Sequence, residues 1–141
     1  MWNPEIKPET LNSFSKGSML EHLEIQFTEI TSESLSATMP VDHRTTQPMG
    51  ILHGGASAVL AESIGSTASQ LILGEQGLTA VGTSINTNHL KAKSSGVVTG
   101  TARPVRIGRK VHVWQIDITD EENNLISSSV LTTMVIEQKS R

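Results

Sequence analysis

The run His53-Gly54-Gly55-Ala56-Ser57-Ala58-Val59-Leu60-Ala61-Glu62-Ser63-Ile64-Gly65-Ser66 decides the fold. It opens with uncrowded backbone N–H groups and continues with the composition of a buried helix. Glu62 is out of place in such a helix, because a glutamate is almost never fully buried without a partner. Either it reaches solvent, or it faces a cleft where its charge is used. The pattern predicts one long helix from Gly54 or Gly55 to Gly74, free of proline. Ala58, Leu60, Ala61, Ile64, Ala68, Leu71 and Ile72 cover more than a narrow stripe, so the helix should be mostly enclosed.

Outward from that helix, the chain reads as strands. Leu23 to Ile30 and Leu35 to Pro40 precede the loop Asp42 to Gly50. Thr79 to Leu90, Val97 to Ile107, Val111 to Thr119 and Leu125 to Ile136 follow, rich in Val, Ile and Thr. Within the third of these, His112, Trp114, Ile116 and Ile118 alternate with Val113, Gln115 and Asp117. Gly108-Arg109-Lys110 and Asp120 to Asn124 read as connections, and Pro8 to Phe14 as a short helix. Many linked strands and one long helix imply an α+β fold, an antiparallel sheet covered by that helix.

The 141 residues fit one domain, 1–141, with a short N-terminal helical segment and a polar tail at Glu137 to Arg141. A net charge of -3 gives no electrostatic footprint for nucleic acid. There are no cysteines, which removes disulfides, thiol catalysis and Cys-containing metal sites, and fits a reducing cytoplasm. The start, Met1 to Glu5, lacks the basic-then-apolar order of a signal peptide, and no apolar run has the length of a membrane span. His43, His53, His89 and His112 are too openly spaced for a metal signature.

The helix entrance has the chemistry of an oxyanion site. The first-turn N–H groups lack internal acceptors, and the helix dipole favours negative charge there. A thioester carbonyl placed at Gly54 would be stabilised as its oxygen gained charge. Glu62 lies eight residues on, about 12 Å along the axis. One small reacting group does not reach both within one chain. Two antiparallel copies of the helix would bring the entrance of one beside the middle of the other, at a twofold interface. Glu62 and Ser66 share a face at i,i+4, so Ser66 is a candidate to orient the carboxylate or a water. Gln47 and His53 flank the entrance. On residue chemistry alone the plainer reading stays open, with the glycines serving only a turn and the serines only packing.

Gln47-Pro48-Met49-Gly50-Ile51-Leu52-His53-Gly54-Gly55, followed by Ala61-Glu62-Ser63-Ile64-Gly65-Ser66, resembles the hotdog-fold acyl-CoA thioesterases. Asn86-Thr87-Asn88-His89, Pro104 to Arg109 and Val113 to Ile116 extend the likeness, which runs from Leu11 to Ile136. It is nearest to the subgroup acting on aromatic acyl-CoAs, such as hydroxybenzoyl-CoA and 1,4-dihydroxy-2-naphthoyl-CoA. The resemblance implies a curved antiparallel sheet wrapped around the long helix, a homodimer with sites across its interface, and a dimer-of-dimers tetramer. It implies a catalytic carboxylate at Glu62, an oxyanion amide at Gly54, a carbonyl-orienting amide at Gln47, and supporting roles for His53 and Ser66. Thr67 and His89 would face the acyl group. Gly82, Thr83 and Ser84 would meet pantetheine, and Lys91, Lys93, Arg106, Arg109 and Lys110 the coenzyme A phosphates. The substrate would be an acyl-CoA, possible in menaquinone synthesis, with no metal or other cofactor and no nucleic acid or membrane partner. A hotdog hydratase or dehydratase, and an acyl-CoA-binding module without turnover, are the alternative readings.

Overall fold

A computed structural model describes residues 1–139 of the chain. The elements are α1 (Pro8–Phe14), α2 (Met19–His22), β1 (Gln26–Ile30), β2 (Leu35–Pro40), α3 (Gly54–Leu73), β3 (Leu78–His89), β4 (Val97–Ile107), β5 (Val111–Thr119) and β6 (Leu125–Glu137). The strands form one six-stranded sheet in the order β1-β2-β4-β5-β6-β3, antiparallel throughout. It curves around α3, which contacts β2, β3, β4, β5 and β6. This is the hotdog arrangement that the resemblance implies.

Period-two alternation builds the core. Leu35, Ala37 and Met39 on β2, Val98 and Ala102 on β4, Trp114, Ile116 and Ile118 on β5, and Leu131 on β6 are buried against Leu60, Ala61, Ile64 and Ala68 of α3. The predicted alternation on β5 holds, with His112, Trp114, Ile116 and Ile118 inward. One buried polar group joins helix to sheet: Ser69 Oγ accepts from Trp114 Nε1–H at 2.7 Å and lies 3.0 Å from His112 Nδ1 and 2.9 Å from Thr133 Oγ1. Trp2 stacks on Trp114 with centroids 6.3 Å apart, so the N-terminal segment closes one end of the core. Asn12 ties α1 to β1, donating to the Phe27 carbonyl and accepting from its N–H.

One expectation changes. The first strand does not begin at Leu23. Ser18 caps the four-residue α2, and Glu24 takes a left-handed φ of 53° that ends it, so pairing starts only at Gln26. The helix α3 is mostly enclosed, as expected, with only Gly55 and Glu62 exposed along it. Ser57, Leu60, Ala61, Ile64, Gly65, Ala68, Ser69 and Leu73 are buried, but Glu62 is exposed on the flank the sheet leaves open. That flank adjoins β3, which among the described residues is an edge strand paired only with β6. Ser140 and Arg141 of the polar tail lie outside the described residues. No helix among the described residues is long and apolar enough to cross a membrane.

Candidate active site

The entrance of α3 is built by the loop before it. His53 is the N-cap in extended backbone, and its Nδ1 accepts from the Gly55 N–H at 2.7 Å. With Nδ1 accepting in this bond, Nε2 is the ring nitrogen left to donate. The His53 N–H is held by the Thr45 carbonyl at 2.8 Å. Gln47 is fixed in the same loop, its N–H on the Ile51 carbonyl at 2.9 Å and its side-chain oxygen receiving the Met49 N–H. The oxygen of the Gln47 amide is thereby occupied, and its NH₂ remains a donor. Gly54 is the first helical residue, so its N–H has no intrahelical acceptor.

These groups surround a cavity of about 360 Å³ lined by Gln47, Ile51, Leu52, Gly54, Ser57, His89, Leu90, Lys91, Ala92 and Ile126. The His89 ring lies directly over Gly54. His89 therefore sits at the entrance of α3. Ser57 was not singled out from the sequence. It is 2 % exposed, lines this cavity, and makes no side-chain hydrogen bond among the described residues. Its signal was the buried position of a hydroxyl one turn into the helix.

Glu62 stands elsewhere. It does not line that cavity. Its carboxylate projects from the open flank of α3 over Gly82 of β3. Ser66 is half-buried, and no hydrogen bond joins it to Glu62 in one chain. Thr67 lines a second cleft of about 360 Å³ with Leu11, Phe14, Phe27, Gln70 and Leu71, beneath α1. Phe14 is 80 % exposed at its rim. Gln70 is committed to structure, its oxygen accepting from Thr79 Oγ1 at 3.0 Å and from the Ala80 N–H at 3.3 Å.

The basic residues divide. Lys91 lines the entrance cavity. Lys93 Nζ is 2.5 Å from Glu121 Oε1, and this pairing raises its pKa and lowers that of Glu121. The Lys93 carbonyl also accepts the Leu52 N–H at 2.7 Å, so the residue braces the loop under the cavity. Arg106, Arg109 and Lys110 are exposed around the β4–β5 connection. Thr83 donates to the Thr132 carbonyl at 3.1 Å, and Ser84 is exposed. Among the described residues no group of three or more His, Asp or Glu side chains is disposed to hold a metal ion.

Residues 49–127 match the model of the thioesterase superfamily. The chain belongs to that superfamily. It is a thioesterase, and its relatives agree over nearly their whole lengths. The 1,4-dihydroxy-2-naphthoyl-CoA hydrolase of Escherichia coli is 48% identical over 96% of this chain and 99% of its own. The proofreading thioesterase EntH of Cronobacter turicensis is 44% identical over 96% of this chain and 98% of its own. The crystal structure of a thioesterase from Haemophilus influenzae superposes with a TM-score of 0.94 at 48% identity, covering 99% of this chain and 97% of that one. This thioesterase thus keeps the Gly54 entrance and the Glu62 carboxylate in two separate places on one chain.

Proposed function

We propose that the protein hydrolyses aromatic acyl-CoA thioesters to the free acid and coenzyme A, in sites shared between two copies of the chain. The observation that carries this reading is the separation of the two halves of the chemistry. Gly54, Gln47 and His89 meet at one cavity, whereas Glu62 lies on the open flank of α3, about 12 Å along the helix. Beside that flank, β3 presents a 12-residue free edge. Such an edge is a ready template for pairing with another strand. Antiparallel pairing of two β3 edges brings the Glu62 of each copy toward the entrance of the other and forms two equal sites. Pairing of such dimers into a tetramer belongs to the same proposal.

In this mechanism the Gly54 N–H and the Gln47 NH₂ bind the thioester oxygen as it becomes an oxyanion. Glu62 of the second copy takes a proton from water as the water oxygen bonds to the carbonyl carbon. The C–S bond then breaks and coenzyme A leaves as its thiolate. In the covalent variant Glu62 itself attacks, and water hydrolyses the resulting anhydride. Ser66, one turn from Glu62, is placed to hydrogen-bond the attacking water or the carboxylate. The cleft lined by Leu11, Phe14, Phe27, Thr67 and Leu71 supports a flat, apolar acyl group. The name of the Escherichia coli relative points to the same class of acid.

Free-thiol release from benzoyl-, hydroxybenzoyl-, dihydroxynaphthoyl- and medium-chain fatty acyl-CoAs tests the substrate class. The aromatic thioesters are expected to show the higher kcat/KM, and a large preference for fatty acyl-CoAs overturns the assignment. Glu62→Gln tests the mechanism. It keeps the side chain's size but removes the base, and kcat should fall about 100- to 10,000-fold.

A further inference from the structure

We infer that Gly82 is a positioning residue for the Glu62 carboxylate, and that its lack of a side chain reserves the carboxylate's place. The inference rests on the proposed catalytic role of Glu62. On β3, Ala80, Gly82, Ile85, Thr87 and His89 face the helix side of the sheet. Their β6 partners are Val135, Thr133, Leu131, Ser129 and Ser127, of which the last four are buried. Gly82 alone in this row has no Cβ. A Cβ built on it would stand 2.5 Å from Glu62 Oε1 and 3.5 Å from Glu62 Cδ. No real Cβ sits that near an oxygen, so any side chain at this position moves the carboxylate.

The strand is shaped around this point. Gly82 pairs with Thr133 and Ser84 with Thr132, so Thr83 is the extra residue of a bulge. Its hydroxyl bonds back to the Thr132 carbonyl at 3.1 Å, which fixes the bulge beside Gly82. The bulge thereby ends the simple alternation immediately after the glycine. The end of Glu62 is what an added Cβ crowds, since its three nearest heavy atoms all belong to that side chain. Glu62 is an exposed side chain. A methyl group at position 82 is therefore easily tolerated by the fold and costly to the chemistry. Misplacing a reacting group by about an ångström costs on the order of 100-fold in rate.

The test is Gly82→Ala in the full-length protein, alone and combined with Glu62→Asp. Single-turnover thiol release resolves the slow variants. In the native background kcat should fall on the order of 100-fold, with KM, oligomer size and melting temperature unchanged. Asp is one methylene shorter and withdraws from the methyl group that Gly82→Ala introduces. Adding Gly82→Ala to Glu62→Asp should therefore leave that variant's rate as it was. Equal losses in both backgrounds would show a role in strand or subunit structure and overturn the inference. So would native turnover in Gly82→Ala while Glu62→Gln is inactive. Native turnover in Glu62→Gln instead removes the catalytic reading itself, and the inference with it.

Discussion

The imidazole of His89 rests on the bare Cα of Gly54, where an added Cβ would stand 2.6 Å from Nε2 and 2.8 Å from Cε1. The last residue of β3 is thus seated against the first residue of α3. The contact closes one wall of the entrance cavity.

Gly54→Ala should displace that ring without unfolding the chain, because His89 is exposed and free to swing away. The displaced ring opens the wall beside the Gly54 amide, the proposed oxyanion donor. We expect kcat/KM to fall about 10- to 100-fold with a nearly native melting temperature. Steady-state kinetics with a paired thermal melt checks this. Native kcat/KM in the folded variant would show that the contact has no part in the reaction.

Lys91 and Lys93 should separate when replaced. The Lys93 ammonium is held by Glu121, whereas Lys91 lines the entrance and has no ion pair among the described residues. A phosphate of coenzyme A at the cavity mouth would find Lys91 available. Lys91→Ala is expected to raise KM about tenfold, as the loss of one charge-assisted hydrogen bond does, with the difference shrinking at high salt. Lys93→Ala should change KM much less. Equal effects of the two substitutions, measured at low ionic strength, count against phosphate contact at Lys91.

What could be read from the sequence was local. The bounds of α1, β2, α3, β4 and β5 follow from Pro8 at the helix start, the apolar spacing of α3 and the turn residues between strands. The short α2 escaped because Met19, Leu20 and Leu23 carry apolar residues into β1 without a visible break. The break is a backbone event at Glu24. The entrance cluster was equally legible, since Gln47, His53 and Gly54 lie within eight positions of one another. Glu62 over Gly82 and His89 over Gly54 were not. Both contacts depend on the register of β3 along β6 and on the bulge at Thr83, and no local pattern encodes them.

His112 should leave a trace in the pH dependence of stability. Burial holds its imidazole below the ordinary value of 6.5, while a hydrogen bond to the Gly108 backbone pulls the other way. A neutral ring also suits the Ser69 hydroxyl at Nδ1. The unfolded chain takes up a proton near pH 6.5 that the folded chain refuses until lower pH. This contribution to stability is present above about pH 6.5 and is lost as the pH falls from there through the lower folded-state value. Urea unfolding at about pH 7.5 and pH 5.5 should show a larger loss for the native protein than for His112→Gln. The same loss in both would exclude His112 as the source.

The proposed shared site makes a prediction that no single-chain arrangement can meet. One protomer carries Glu62→Gln, leaving its entrance intact. The other carries Gly54→Val, whose side chain collides with His89 and blocks the entrance while leaving Glu62 in place. Each homodimer has two damaged sites. In a mixed dimer, one site combines the intact entrance of the first protomer with the intact Glu62 of the second, and the other site takes both lesions. Dimers purified through two different affinity tags should therefore recover about half the native turnover. Their size in solution must be measured at the assay concentration, so that recovered activity is assigned to the mixed species. If each site lay within one chain, both sites of the mixed dimer would stay damaged and no activity would return.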